Sequence, residues 1–110
     1  MEKSEIIKTL IEKANGNRWT KNGKDRIYFD PRNALSGLKT SRYNTGNISG
    51  ATLNGELISN SKAKKLLSAA FETKLWYDLG DGKFHWYDVS NSDFAKLFET
   101  YRNSLIELIK

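Results

Sequence analysis

The single histidine of the chain, His85, follows Asp81 by four residues and Asp78 by seven in the stretch YDLGDGKFH. Imidazole beside carboxylate is the pairing from which general bases are made, because an adjacent anion favours the imidazolium and histidine titrates close to neutral pH. If Asp81-Gly82 is the two-residue loop of a hairpin, positions summing to 163 face each other and Asp78 becomes the cross-strand neighbour of His85. A surface ion pair uses the same residues. No nucleophile accompanies them: the chain has no Cys, its Ser residues fall in caps and polar loops, and it has neither a Gly-rich phosphate loop nor metal-ligand spacing. The run DLGDG lacks the alternating ligands and the closing Glu of a calcium loop, and turn chemistry accounts for Asp81. Asp78, Asp81 and Asp88 leave a small hydrolase as a distant reading. The expectation is a protein without catalytic residues, metal or cofactor.

Denser chemistry lies in residues 17–29, NRWTKNGKDRIYF, where rings and cations flank Asn22-Gly23. Asn-Gly tolerates the positive φ angles of a type I′ turn, so a hairpin is expected with paired positions summing to 45. Strand alternation then puts Trp19, Lys21, Lys24, Arg26 and Tyr28 on one face, and Arg18, Thr20, Asp25, Ile27 and Phe29 on the other. Ile27 and Phe29 mark the core side, which leaves Arg26 free to stack on Trp19 outside. Lys21 directly opposite Lys24 is mildly destabilising in a hairpin, so folding alone does not favour it. Interleaved rings and cations suit nucleic acid, with stacking for bases and charge for phosphate, and equally suit a protein hot spot rich in Trp, Tyr and Arg. A helix or strand laid over that face would instead make Trp19 and Tyr28 ordinary core. In the second hairpin Trp76, Asp78, His85 and Tyr87 share the face opposite Leu75, Tyr77, Leu79, Phe84 and Trp86, and Trp76 with Tyr87 is a secondary candidate contact patch.

The net charge of +5 is unevenly spread: residues 1–45 hold ten Lys/Arg against five Asp/Glu, and residues 46–110 hold eight against eight. Such asymmetry points to an anionic partner, with a solvated basic face as the bland alternative. Arg32, Lys39, Arg42 and Tyr43 extend the candidate surface beyond the hairpin. At 110 residues and 38% apolar content the chain fits one domain with a single modest core. No apolar run approaches the roughly 20 residues of a spanning helix, and the mixed-charge N-terminus lacks a signal-peptide cleavage site. A cytoplasmic protein is expected, which the absence of Cys suits.

These residues need elements to position them. Ser4 is a candidate cap for a helix over about residues 5–14, stopped by Asn15-Gly16. After the first hairpin, short strands are expected near 38–43 and 48–53, with LNGELI as a further turn. Ser59, Asn60 or Ser61 caps a helix over about 61–71 with Ala63, Leu66, Leu67, Ala70 and Phe71 on one face. The second hairpin follows, and a helix with the stripe Phe94, Leu97, Phe98, Tyr101 and Leu105 ends the chain. The order α-ββ-(ββ)-α-ββ-α predicts an α+β domain, an antiparallel sheet with about three helices on one face. Its core gathers Leu10, Ile11, Leu66, Leu67, Phe94, Leu97, Phe98 and Tyr101 against Ile27, Phe29, Tyr77, Phe84 and Trp86.

The stretches WTKNGKDRIYF, LNGELISNSKAKKLL and YDLGDGKFH resemble short proteins of bacteriophages and mobile elements, over about residues 17–30 and 53–86. Small α+β phage proteins without catalytic residues are frequently inhibitors that bind and block a bacterial defence machine, the anti-CRISPR proteins among them. The resemblance therefore implies an inhibitor in the bacterial cytoplasm, acting on a host protein or nucleoprotein complex with an acidic or phosphate-bearing surface. A direct nucleic-acid-binding module is the alternative that the residues themselves allow.

Overall fold

Asn-Gly, Asn-Gly and Gly positions set the corners of this chain. Asn15, Asn22 and Asn54 all adopt positive φ (56°, 53° and 51°), each followed by a positive-φ glycine, the backbone geometry that tight reversals require. The structure, a computed structural model, describes residues 2–42, 48–87 and 89–110. Helix α1 (Lys3–Lys13) leads into β1 (Arg18–Lys21) and β2 (Lys24–Phe29), then a 3-10 helix (Pro31–Leu35). Strands β3 (Leu38–Arg42), β4 (Ile48–Leu53) and β5 (Glu56–Ile58) precede α2 (Asn60–Glu72), β6 (Leu75–Asp78), β7 (Lys83–Trp86) and α3 (Ser92–Glu107). The fold is α+β in the expected order. Its strands form two antiparallel sheets, β1-β2-β6-β7 and β3-β4-β5. No helix among the described residues is long and apolar enough to cross a membrane.

Caps explain the helix starts. Ser59 Oγ accepts the Lys62 amide N–H at 3.1 Å for α2, and Asn91 Oδ1 accepts that of Phe94 at 2.9 Å for α3, each satisfying an otherwise orphaned first-turn donor. Helix α1 differs from expectation: it begins before Ser4, and its N-cap is Glu2, which makes no side-chain cap bond. The Glu2 carbonyl takes the N–H groups of Glu5 and Ile6 at 3.1 and 3.0 Å, and Ser4 lies inside the first turn.

The core sits between the inner face of the four-stranded sheet and the helices. Leu10 and Ala14 of α1, Ile27 and Phe29 of β2, and Leu75 and Tyr77 of β6 meet Leu66 of α2 and Phe94, Phe98 and Leu105 of α3. Leu35 joins them from the 3-10 helix, held by the Asp30 carboxylate accepting the Arg32 N–H at 2.9 Å. Ala51 and Ala63 attach the small sheet to α2. One expected core residue, Trp86, lies at the surface, and so does Phe71, expected on the apolar face of α2. Phe71 is 65% exposed, because its helical angle carries it past the edge of the arc that Leu66, Ala63 and Ala70 bury; the Arg32 guanidinium covers its ring at 5.0 Å. Trp86 faces inward by alternation, but on an edge strand, where it stays 36% exposed beneath the Arg102 guanidinium at 4.2 Å. With the helices on one side, the opposite face of the large sheet is left for solvent and partners.

Candidate binding face

The first hairpin has the register that its Asn22-Gly23 loop dictates: Trp19 pairs Arg26, Thr20 pairs Asp25 and Lys21 pairs Lys24. Alternation then delivers Trp19, Lys21, Lys24, Arg26 and Tyr28 to one surface, where with Asn22 they line a hollow of about 360 Å³. Lys21 and Lys24 make no ion pair among the described residues. On the other face Arg18 donates to Asp25 at 3.1 and 2.6 Å.

The second hairpin departs from expectation. Its register is Leu75 with Trp86, Trp76 with His85, Tyr77 with Phe84 and Asp78 with Lys83, so the pairs sum to 161 and the loop is four residues, Leu79 to Gly82. Two aspartates build it: Asp78 Oδ1 accepts the Gly80 N–H at 2.8 Å and Asp81 Oδ1 that of Lys83 at 2.9 Å, with Gly82 at positive φ. Such side-chain turns widen a loop that Asp-Gly alone would close in two residues. The shift is even, so every side chain keeps its face while its neighbours change. His85 therefore lies across from Trp76, stacked on it at 5.8 Å and 21°, and its Nε2 reaches Asp81 Oδ2 at 2.6 Å, where Asp78 was expected.

Because β6 lies beside β2, the two hairpins share one outer face. Tyr28 pairs Trp76 across the strands and Arg26 pairs Asp78. Rings follow one another across the sheet: Trp19 meets Tyr28 edge-on at 6.2 Å, Tyr28 meets Trp76 at 6.3 Å, and Trp76 meets Tyr87 at 5.4 Å. Arg26 stacks on Trp76, with its guanidinium carbon 5.1 Å from the ring centre, and not on Trp19 as the isolated hairpin suggests. Tyr28, before the more distant charge of Asp78, raises the Arg26 pKa, so the guanidinium is fixed as a cation. Trp76 is consequently only 9% exposed, whereas Trp19 is 62% and Tyr87 54% exposed. The expected exposed pair of Trp76 and Tyr87 is thus one buried ring with one exposed ring leaning on it.

A second, larger cleft of about 600 Å³ adjoins the hollow, sharing Trp19, Arg26 and Tyr28 with it and adding Arg18, Lys74, Trp76 and Tyr87. Lys74 Nζ sits 5.9 Å from the Tyr87 ring. The other sequence candidates are elsewhere. Arg32 is tied to Asp30 by donors at 2.6 to 3.0 Å and to Phe71; Lys39 belongs to the small sheet and, like Arg32, lines neither hollow. Arg42 ends β3, Tyr43 lies outside the described residues, and so does Asp88. Asp78, Asp81 and His85, the trio spaced along YDLGDGKFH, each bring a ligand atom within 4.8 Å of the others. A divalent cation has donors there, although Asp78 and Asp81 already serve the turn and His85 already holds Asp81.

Hydrogen-bonding partners hold three carboxyls below their ordinary value of 3.8: Asp25 through the bond from Arg18, Asp30 through that from Arg32, and Asp81 through that with His85. A carboxyl lowered in the folded state binds fewer protons than the unfolded chain does, so its contribution is complete above the ordinary value and disappears as pH falls through the lowered one. Melting temperature should accordingly drop as pH is taken below about 4, and Asp25→Asn should flatten part of that drop. An unchanged acid slope in Asp25→Asn would show that the Arg18 pair contributes nothing.

Comparison of the chain with protein-family models, curated proteins and solved structures returned no match.

Proposed function

We propose that this is a non-enzymatic binding protein that takes single-stranded nucleic acid on the outer face of its four-stranded sheet. The observation that carries the reading is the continuous set of rings across that face, Trp19, Tyr28, Trp76, His85 and Tyr87, with Arg26 fixed among them and Lys21, Lys24 and Lys74 at the margin. Rings offer stacking to any base, cations follow the backbone, and an open sheet admits a strand lying across it. The Lys21–Lys24 pair, unhelpful to the hairpin, finds its use next to phosphate. Within a host nucleoprotein the same face would engage guide or target strand, one of the two modes, the other being an acidic protein surface, open to an inhibitor of the kind the resemblance to anti-CRISPR proteins implies.

Two measurements test this. Affinity for an unstructured oligonucleotide should fall with salt at a log–log slope of about −0.7 per phosphate neutralised, giving a slope near −2 if Lys21, Lys24 and Lys74 each meet one. A pull-down from bacterial lysate should lose its captured material on nuclease treatment. Capture that survives nuclease, with no salt-dependent oligonucleotide binding, would replace nucleic acid by an acidic protein surface, with Trp19 and Arg26 as its hot spots.

A further inference from the structure

The larger cleft differs from the hollow beside it in its size and its lining. Four of its lining residues bring rings from the outer face, Trp19, Tyr28, Trp76 and Tyr87, and two bring positive charge, Arg26 and Lys74; of the others, the Phe29 ring belongs to the core and Arg18 is held by Asp25. No carboxylate lines it among the described residues. One donor there is unpaired: Trp76 Nε1 is buried without a hydrogen-bond partner, although buried donors in folded proteins are nearly always paired, whereas Arg26 Nε faces Asp78 Oδ2 at 3.7 Å. A cleft of about 600 Å³ falls within the size range of small-ligand sites. A ring-rich lining calls for a planar ligand, and cations beside an unpaired donor call for one rich in acceptors and negatively charged.

We infer that this cleft takes one nucleotide, its base against the exposed rings of Trp19 and Tyr87, an acceptor atom of the ligand on Trp76 Nε1, and its phosphate at Lys74. The inference rests on the nucleic-acid reading and deepens it: the hollow beside Lys21 and Lys24 tracks backbone, while the larger cleft, richer in rings, holds a single base. A free nucleotide and one unit of a strand present the same chemistry, so the cleft gives the sheet face a defined anchoring position.

The test titrates uridine 5′-monophosphate, ribose 5-phosphate and an eight-nucleotide oligothymidylate, following the indole N–H resonances by NMR. The mononucleotide should shift the Trp76 indole signal and compete with the oligonucleotide. Ribose 5-phosphate, which lacks the ring, should bind at least tenfold more weakly. Trp76→Phe retains a ring and removes the donor, and should weaken the mononucleotide roughly fivefold, the usual worth of one hydrogen bond. Lys74→Gln, on the exposed rim and harmless to folding, should weaken the mononucleotide while leaving uridine, which has no phosphate, unchanged. If the oligonucleotide binds but the mononucleotide neither competes nor moves the Trp76 signal, the cleft is not a nucleotide site and the sheet-face reading survives. If the oligonucleotide also fails to bind, both fall together.

Discussion

Phe98→Ala should destabilise the fold by about 3–5 kcal/mol, the usual range for emptying a buried phenylalanine site. Phe98 is almost wholly buried and stacks on Phe94 at 5.7 Å and 27°, so truncation removes contacts from α3, from the 3-10 segment and from the sheet's inner face together. Such a loss is a large part of the roughly 5–15 kcal/mol that holds a typical domain. The denaturation midpoint should fall sharply with little change in slope, the sign of lost stability and not of altered compactness. A variant that denatures like the parent would mean that α3 does not close the core. Because Phe98 is remote from the outer face, the fraction that remains folded should bind as before.

How far this architecture was legible depends on how local its determinants are. The first hairpin could be read residue by residue, because Asn22-Gly23 admits one short turn and a two-residue loop leaves only one register. The second resisted, since Asp78 and Asp81 compete for backbone N–H groups and stretch the loop to four residues. Faces survived that error because the shift was even; partners did not, which is why His85 was assigned to Asp78. Trp76 was misjudged for a different reason. Its burial comes from Arg26, Tyr28, His85 and Tyr87 leaning on it, and two of those four, Arg26 and Tyr28, reach it from β2, whose adjacency to β6 no local pattern encodes. The same adjacency of β2 and β6 draws Arg26 away from Trp19. What sequence did convey, through alternation alone, was that one surface would carry Trp19, Lys21, Lys24, Arg26 and Tyr28 together.

That placement also decides which substitution probes the face cleanly. Arg26→Glu would set a carboxylate against Asp78, which lies 3.7 Å from Arg26 now, and would uncover Trp76, so lost binding and lost folding would arrive together. Lys21→Glu avoids this. Lys21 and Lys24 face each other as like charges, and reversing one turns a repulsive cross-strand pair into an attractive one, worth about 0.2–1 kcal/mol to the hairpin. The melting temperature should hold or rise slightly. Affinity for single strands should move the other way: one phosphate contact is lost and a repulsive one replaces it, and the salt slope should flatten by about 0.7. Adding Trp19→Ala, which removes the most exposed ring of the face, should cost a further 1–3 kcal/mol or so of binding if a base stacks there, roughly five- to 150-fold. Lys64→Glu on the exposed side of α2 changes net charge by the same amount and serves as the control; it should affect binding far less than Lys21→Glu. Opposite signs for stability and affinity in one variant would identify Lys21 as a residue kept for binding at a small expense to folding. Equal affinity of Lys21→Glu, Trp19→Ala and the parent would return the hairpin to a purely structural role, with its rings covering the sheet and its charges keeping the protein dissolved.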